Sequence, residues 1–202
     1  MGVGRMTGLI AAALMLGVPV AAFAQAETPV TARQNAAPWV APDFVVPTLA
    51  EGPGFKLVPL GPALVEFDYR AYMSSIAHLQ RTFTRSSSWP HEGLTLADSM
   101  VDMETEAGRF ARRESFAYAV LTPDGTRERG CVYVYPGKFG GFDAEVRLWV
   151  TTSENEAGFD AELYAWTQGW IARNWPFAKV AYPGRAIAWE HWDAAAAAGT
   201  AQ

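Results

Sequence analysis

The feature that most constrains this chain lies between Ser115 and Val150. Three short alternating segments follow one another there, separated by turn signals. Ser115 to Leu121 (SFAYAVL) ends at Thr122-Pro123-Asp124-Gly125, where Pro pre-sets a turn and Asp and Gly complete it. Arg127 to Tyr135 (RERGCVYVY) returns to Pro136-Gly137-Lys138-Phe139-Gly140-Gly141, and Phe142 to Val150 (FDAEVRLWV) follows. Segments joined by connections this short pair antiparallel. In the third segment the period of two places Asp143, Glu145, Arg147 and Trp149 on one face. Ala144, Val146, Leu148 and Val150 fall on the other.

Helical patterns flank this meander. Val65, Tyr69, Tyr72, Ile76, Leu79 and Phe83 recur at steps of three and four and predict one helix. A loop, Arg85 to Gly93, ends it. A second helix opens at Thr95, with Asp98 three residues on in a capping-box arrangement, and carries Leu96, Met100, Met103, Ala107 and Phe110 on its apolar face. After the meander a long helix is expected from about Glu154 to Asn174, with Phe159, Leu163, Trp166 and Trp170 inward, stopped by Pro176. A short strand, Lys179 to Tyr182, ends at Pro183-Gly184. Upstream, Phe55 to Leu60 reads as a first strand, at a sheet edge because of Pro59.

Not all of the chain belongs to that unit. Arg5 precedes the apolar run Met6 to Ala22, and Ala22-Phe23-Ala24 and Ala24-Gln25-Ala26 both offer small-x-small cleavage sites. Residues 1–24 are therefore read as a secretory signal, and the protein as exported, periplasmic or secreted. An uncleaved anchor is the alternative; the run of about 17 residues is at the lower limit for a span. Residues 25–54 carry five of the chain's 13 prolines and read as an extended arm lying across its own domain or contacting a partner. The domain proper is placed at 55–192, with an Ala-rich, frayed tail at 193–202.

Composition narrows the chemistry. A net charge of −5 without a basic stripe argues against a nucleic-acid partner. One cysteine excludes an internal disulfide, and three scattered histidines show no metal-ligand spacing. Cys131 reads as a buried structural thiol, and His78 as a packed or solvated side chain on the first helix.

The order strand, two helices, three antiparallel strands, long helix, strand resembles the GNAT superfamily of N-acetyltransferases. The nearest local matches are the block Phe116 to Val150, with Gly130-Cys131-Val132-Tyr133-Val134 and Glu145-Val146-Arg147-Leu148-Trp149-Val150, and the segment Trp175-Pro176-Phe177 to Gly184-Arg185. The resemblance implies an α+β fold: a mixed, mostly antiparallel sheet flanked by helices, here with a shortened C-terminal half. It implies transfer of an acyl group from acetyl-CoA or another acyl-CoA to a small-molecule or peptide amine, with no metal. It implies that Leu148, Trp149 and Val150 offer backbone groups to the pantetheine arm. The phosphate-cradling loop would correspond to Asn155-Glu156-Ala157-Gly158-Phe159-Asp160, so Asn155, Ala157 and Gly158 are the further cofactor-binding candidates. Glu145, beside the expected thioester, is the candidate general base.

Each of these residues also has a plainer reading. Ser153 and Glu156 make a capping box, and acids in a first turn stabilise any helix. Glu145 and Arg147 could simply pair across a sheet face. Glu154, Glu156, Asp160 and Glu162 crowd the helix start that would receive a polyanion, at a cost on the order of 1 kcal/mol per close like-charge contact. A non-catalytic, exported ligand-binding or envelope interaction module is thus the alternative to an enzyme.

Overall fold

A computed structural model describes Met1 and residues 39–200. Apart from Met1, the expected signal segment 1–24, both cleavage sites and the first part of the Pro-rich arm lie outside the described residues.

Six strands form one sheet in sequence order: β1 (Ala50–Gly52), β2 (Phe55–Pro59), β3 (Phe116–Leu121), β4 (Glu128–Pro136), β5 (Ala144–Val150) and β6 (Val180–Ala181). All neighbours are antiparallel except β5 and β6, which run parallel. This is the α+β, mostly antiparallel architecture that the resemblance implies. The alternation in β5 also holds. Val146, Leu148 and Val150 join one core with Phe159, Leu163, Trp170 and Ile171, whereas Trp149 belongs to a second core with Tyr72, Leu79 and Met103.

The helices account for the two cores. The first is covered by α5 (Phe159–Asn174), and the second by α1 (Val65–Met73), α2 (Ile76–Leu79) and α3 (Leu96–Ala111). The expected single helix over Val65 to Phe83 is broken. After Met73 the chain turns at Ser74-Ser75, resumes as α2 and ends in a π-turn, Gln80–Thr84. Ser74 Oγ donates to the Ala71 carbonyl at 2.7 Å, a local bond of the kind that lets serine compete with helix hydrogen bonding. Helix α3 begins as expected, with Thr95 and Asp98 making a reciprocal capping box.

The arm is more closely joined to the domain than a boundary at residue 55 implies. Its residues 50–52 form β1, so β2 is an interior strand and not the edge. Pro59 is tolerated because it is the last residue of β2. Upstream, Trp39 stacks on Phe116 and Phe177, and Val40 is buried. Arg113 donates to the carbonyls of Ala41, Pro42 and Phe44, which satisfies backbone that prolines have kept out of regular structure.

The frayed tail expected at 193–202 is, as far as residue 200, instead part of α6 (Trp189–Thr200). Two contacts account for its order. Trp192 is buried against Phe139, at 4.4 Å between ring centroids, and Asp193 takes a bidentate bond from Arg85. The alanines then propagate a helix whose first turn is already anchored. Among the described residues no helix is long and apolar enough to cross a membrane.

Trp192→Ala should cost about 3 kcal/mol in denaturant melts and raise amide exchange across residues 189–200. Unchanged exchange there would show that the alanine run holds itself.

Candidate functional site

Strand β5 is bonded to β4 along its whole length, from Ala144 opposite Pro136 to Val150 opposite Gly130. On its other side the ladder is short. Only Ala144 and Glu145 meet β6, at Val180 and Ala181. The chain then leaves the strand direction at Tyr182, turning through Pro183-Gly184, with the Gly184 amide donating to the Ile187 carbonyl at 2.7 Å. Gly184 has φ 74°, a left-handed conformation that glycine adopts without strain. β5 and β6 therefore part after two residues, and a cavity of about 190 Å³ opens in the fork.

Leu148, Trp149 and Val150 line this cavity from β5. Asn155 and Asp160 line it from the corner between α4 (Thr152–Glu156) and α5. Pro183, Gly184 and Arg185 close the side where β6 has turned away, and Trp189 of α6 lies beside them. The flank of the cavity beyond β6 is thus covered by the tail.

Two of the four acids at this corner are ion-paired within the chain. The helix start that reads as continuous is split by Gly158 (φ 84°) into α4 and α5. The cap of α4 is Thr151, not the expected Ser153; Thr151 Oγ1 accepts from the Glu154 amide. Thr151 has the extended backbone a cap requires, and Ser153 is already inside the helix. Glu154 is buried and bonded by Arg127 at 2.6 Å and by Arg129. Burial alone would push its carboxyl upward, but the hydrogen bonds from both arginines outweigh it and hold the group below its ordinary value. Asp160 takes a bidentate bond from Arg185, with both contacts at 2.7 Å. Glu156 is solvent-exposed.

These pairings bear on an acyl-CoA ligand. The free edge of β5 suits an extended arm bearing amide groups. The phosphate end is different. Thr151 and Ser75 already accept from the Glu154 and Thr152 amides at the α4 start. Among the described residues, both arginines at the cavity are paired, Arg185 with Asp160 and Arg147 with Glu145. A cavity of about 190 Å³ is also below the usual range for whole cofactors, about 300–1,000 Å³. The site fits the thioester arm and lacks a prepared cradle for the diphosphate.

The candidate residues fall into three groups. Leu148, Trp149, Val150 and Asn155 are brought together at the cavity. Ala157 and Gly158 sit exposed at the α4–α5 corner, outside its lining. Glu145 is 2% exposed and also outside the lining, and its Oε1 accepts from Arg147 Nε. It touches the cavity only through Arg147, because its own position pairs with β6 where the fork is still closed.

Sequence reasoning missed His78. The break at Ser74-Ser75 turns α2 so that His78, 8% exposed, lines the cavity together with Val150. Burial, assisted by Arg81, lowers its pKa from the ordinary 6.5 and keeps the imidazole neutral near pH 7. The only sequence signal was a histidine beside an apolar helix face.

No family model matches the sequence, and no curated protein matches it. Solved structures similar to this chain are acetyltransferases. One is a ribosomal-protein-S5-alanine acetyltransferase from Vibrio fischeri, with 11% identity, 62% of this chain and 67% of that chain covered, and a TM-score of 0.49. Another is the ribosomal-protein acetyltransferase RimL in complex with coenzyme A, with 14% identity, 63% and 68% covered, and a TM-score of 0.47. A third is an acetyltransferase from Thermus thermophilus, with 15% identity, 58% and 69% covered, and a TM-score of 0.44. The chain's own topology is an antiparallel meander, a crossover helix, and a parallel strand that splays from its neighbour.

Because folded His78 is held neutral, it contributes stability that is present above pH 6.5 and lost as the pH falls through its lowered value. Melts from about pH 7.5 to about pH 5 should therefore fall more steeply for the wild type than for His78→Gln. Parallel curves would place the imidazole in solvent.

Proposed function

We propose that this chain is a GNAT-like N-acyltransferase that moves an acyl group from an acyl-CoA to an amine. The observation that carries this reading is the fork between β5 and β6 beyond Glu145–Ala181, which frees the β5 edge beside a cavity. Leu148, Trp149 and Val150 would hold the thioester arm through their backbone, and Asn155 the polar part beyond it. Acyl-CoA supplies the activated acyl group.

His78 takes the part of general base, because it is the neutral imidazole at the cavity wall and can accept the proton an attacking amine must lose. Glu145 then acts as a positioning residue. Its carboxylate holds Arg147 at the cavity rim, and a 2%-exposed, ion-paired group is poorly placed to take a proton from a substrate. We further propose that the protein works after export, on the strength of its N-terminal sequence alone. Acetyl-CoA is a cytosolic metabolite, so an exported enzyme would need a donor outside the cytosol.

One observation favours a second reading, a ligand-binding module without catalysis: the internal satisfaction of the amides and charges that would meet a diphosphate. Calorimetry separates the two. Acetyl-CoA should bind the full chain, and acetyl-pantetheine, which lacks the diphosphate, should bind nearly as well. No heat with either at millimolar ligand removes the acyltransferase. If binding and turnover are seen, His78→Gln should lower the rate about 100-fold at neutral pH with donor affinity unchanged. Glu145→Gln should act mainly on KM through Arg147. An unaltered rate in His78→Gln removes the imidazole from the chemistry.

A further inference from the structure

On the sheet face opposite α5, three ligand-type side chains meet in the interior. Asp68 of α1 is 4% exposed, Glu128 of β4 is 3% and Cys131 of β4 is 0%. Cys131 Sγ lies 3.1 Å from Glu128 Oε1 and 3.6 Å from Asp68 Oδ1. One ligand atom from each residue lies within 4.8 Å of the other two. Residues three apart on a regular strand point to opposite faces. Glu128 and Cys131 share a face because the ladder shifts register: Val120 pairs with Gly130 but Leu121 with Glu128, which leaves Arg129 as the extra residue of a bulge.

Two features leave room for a cation there. Glu128 Oε2 is buried and has no hydrogen-bond partner. Among the described residues, no Lys or Arg bonds to any of the three. The arginines of this region are committed elsewhere, Arg127 and Arg129 to Glu154 and Arg70 to Glu66. Buried carboxylates are expensive without a cation.

We propose that Asp68, Glu128 and Cys131 form a binding site for a divalent transition-metal ion of the zinc type. A tetrahedral zinc ion with ordinary bond lengths to sulfur and oxygen separates those two ligand atoms by about 3.5 Å, and the observed 3.1 and 3.6 Å lie either side of that spacing. A ligand set with sulfur selects zinc over calcium or magnesium, which take oxygen alone. The site has access from solvent on two sides. Glu128 lines a cavity of about 530 Å³ with Ser74, Thr151 and Ser153, and Asp68 lines another of about 290 Å³ with Tyr72 and Asp102. Water from either can supply a fourth ligand. An ion there would tie α1 to β4, the contact on which the second core is built.

The test uses the full chain, stripped with a chelator and dialysed against low micromolar Zn2+. One zinc per chain is expected by elemental analysis, with a rise in melting temperature from binding to the folded state alone. Co2+ in its place should show a thiolate-to-metal charge-transfer band. Cys131→Ser should abolish that band, and Cys131→Ser and Glu128→Gln should each weaken zinc binding by at least about tenfold. Two results overturn the proposal. One is a wild-type protein that retains no zinc and shows no thiolate band with Co2+. The other is zinc retained equally by folded variants, which would assign it to the exposed His91 and His191. If the variants do not fold, the Co2+ spectrum of the wild type decides alone.

Discussion

Strand β5 bonds to β4 at every residue and to β6 at only two. The rest of the molecule is arranged around this inequality. A sheet with one interior strand left open must either cover the opening or fill it. Here Pro183 to Arg185 and Trp189 cover it, leaving a small cavity against Leu148, Trp149 and Val150. Trp189 is held by the same tail that Trp192 and Asp193 fasten down. The arginines Arg85 and Arg147 both lie over its ring, at 4.2 and 5.4 Å from the centroid. The size of the cavity is thus set by the packing of residues 183–193 as much as by the strands.

Charge at the α4–α5 corner follows a second constraint. Four acids near a helix start favour the helix and disfavour a polyanion. The fold pairs two of them, with Arg127 and Arg129 on Glu154 and Arg185 on Asp160, and leaves Glu156 and Glu162 in solvent. Each pair removes a repulsion, and each also uses up a cation that a phosphate could have met. The corner is therefore stable and nearly balanced without any ligand, whereas the strand edge above it still has groups to offer. On the opposite face the buried Asp68, Glu128 and Cys131 present the reverse case, with ligand atoms gathered and no cation supplied by the chain.

Strands β3, β4 and β5 and their order were legible because period-two alternation and Pro-Asp-Gly or Gly-Gly turns are local signals. The face assignment within β5 and the Thr95–Asp98 capping box follow from the same kind of information. The broken first helix was not legible, because a run of apolar residues at helical spacing looks the same whether or not Ser74 and Ser75 interrupt it. Strand β1 was hidden for a related reason: three residues among prolines show no period until β2 lies beside them.

What the sequence determined by itself was the meander, the presence of helices on either side of it and the placement of Leu148, Trp149 and Val150 on one strand. Only the tertiary structure decided that Arg185 meets Asp160, that His78 reaches the cavity while Glu145 does not, and that a bulge turns Glu128 toward Cys131. Alternation and capping are set between residues a few positions apart. Charge partners, cavity walls and strand register depend on residues tens of positions away, and those distances exist only after the sheet has formed.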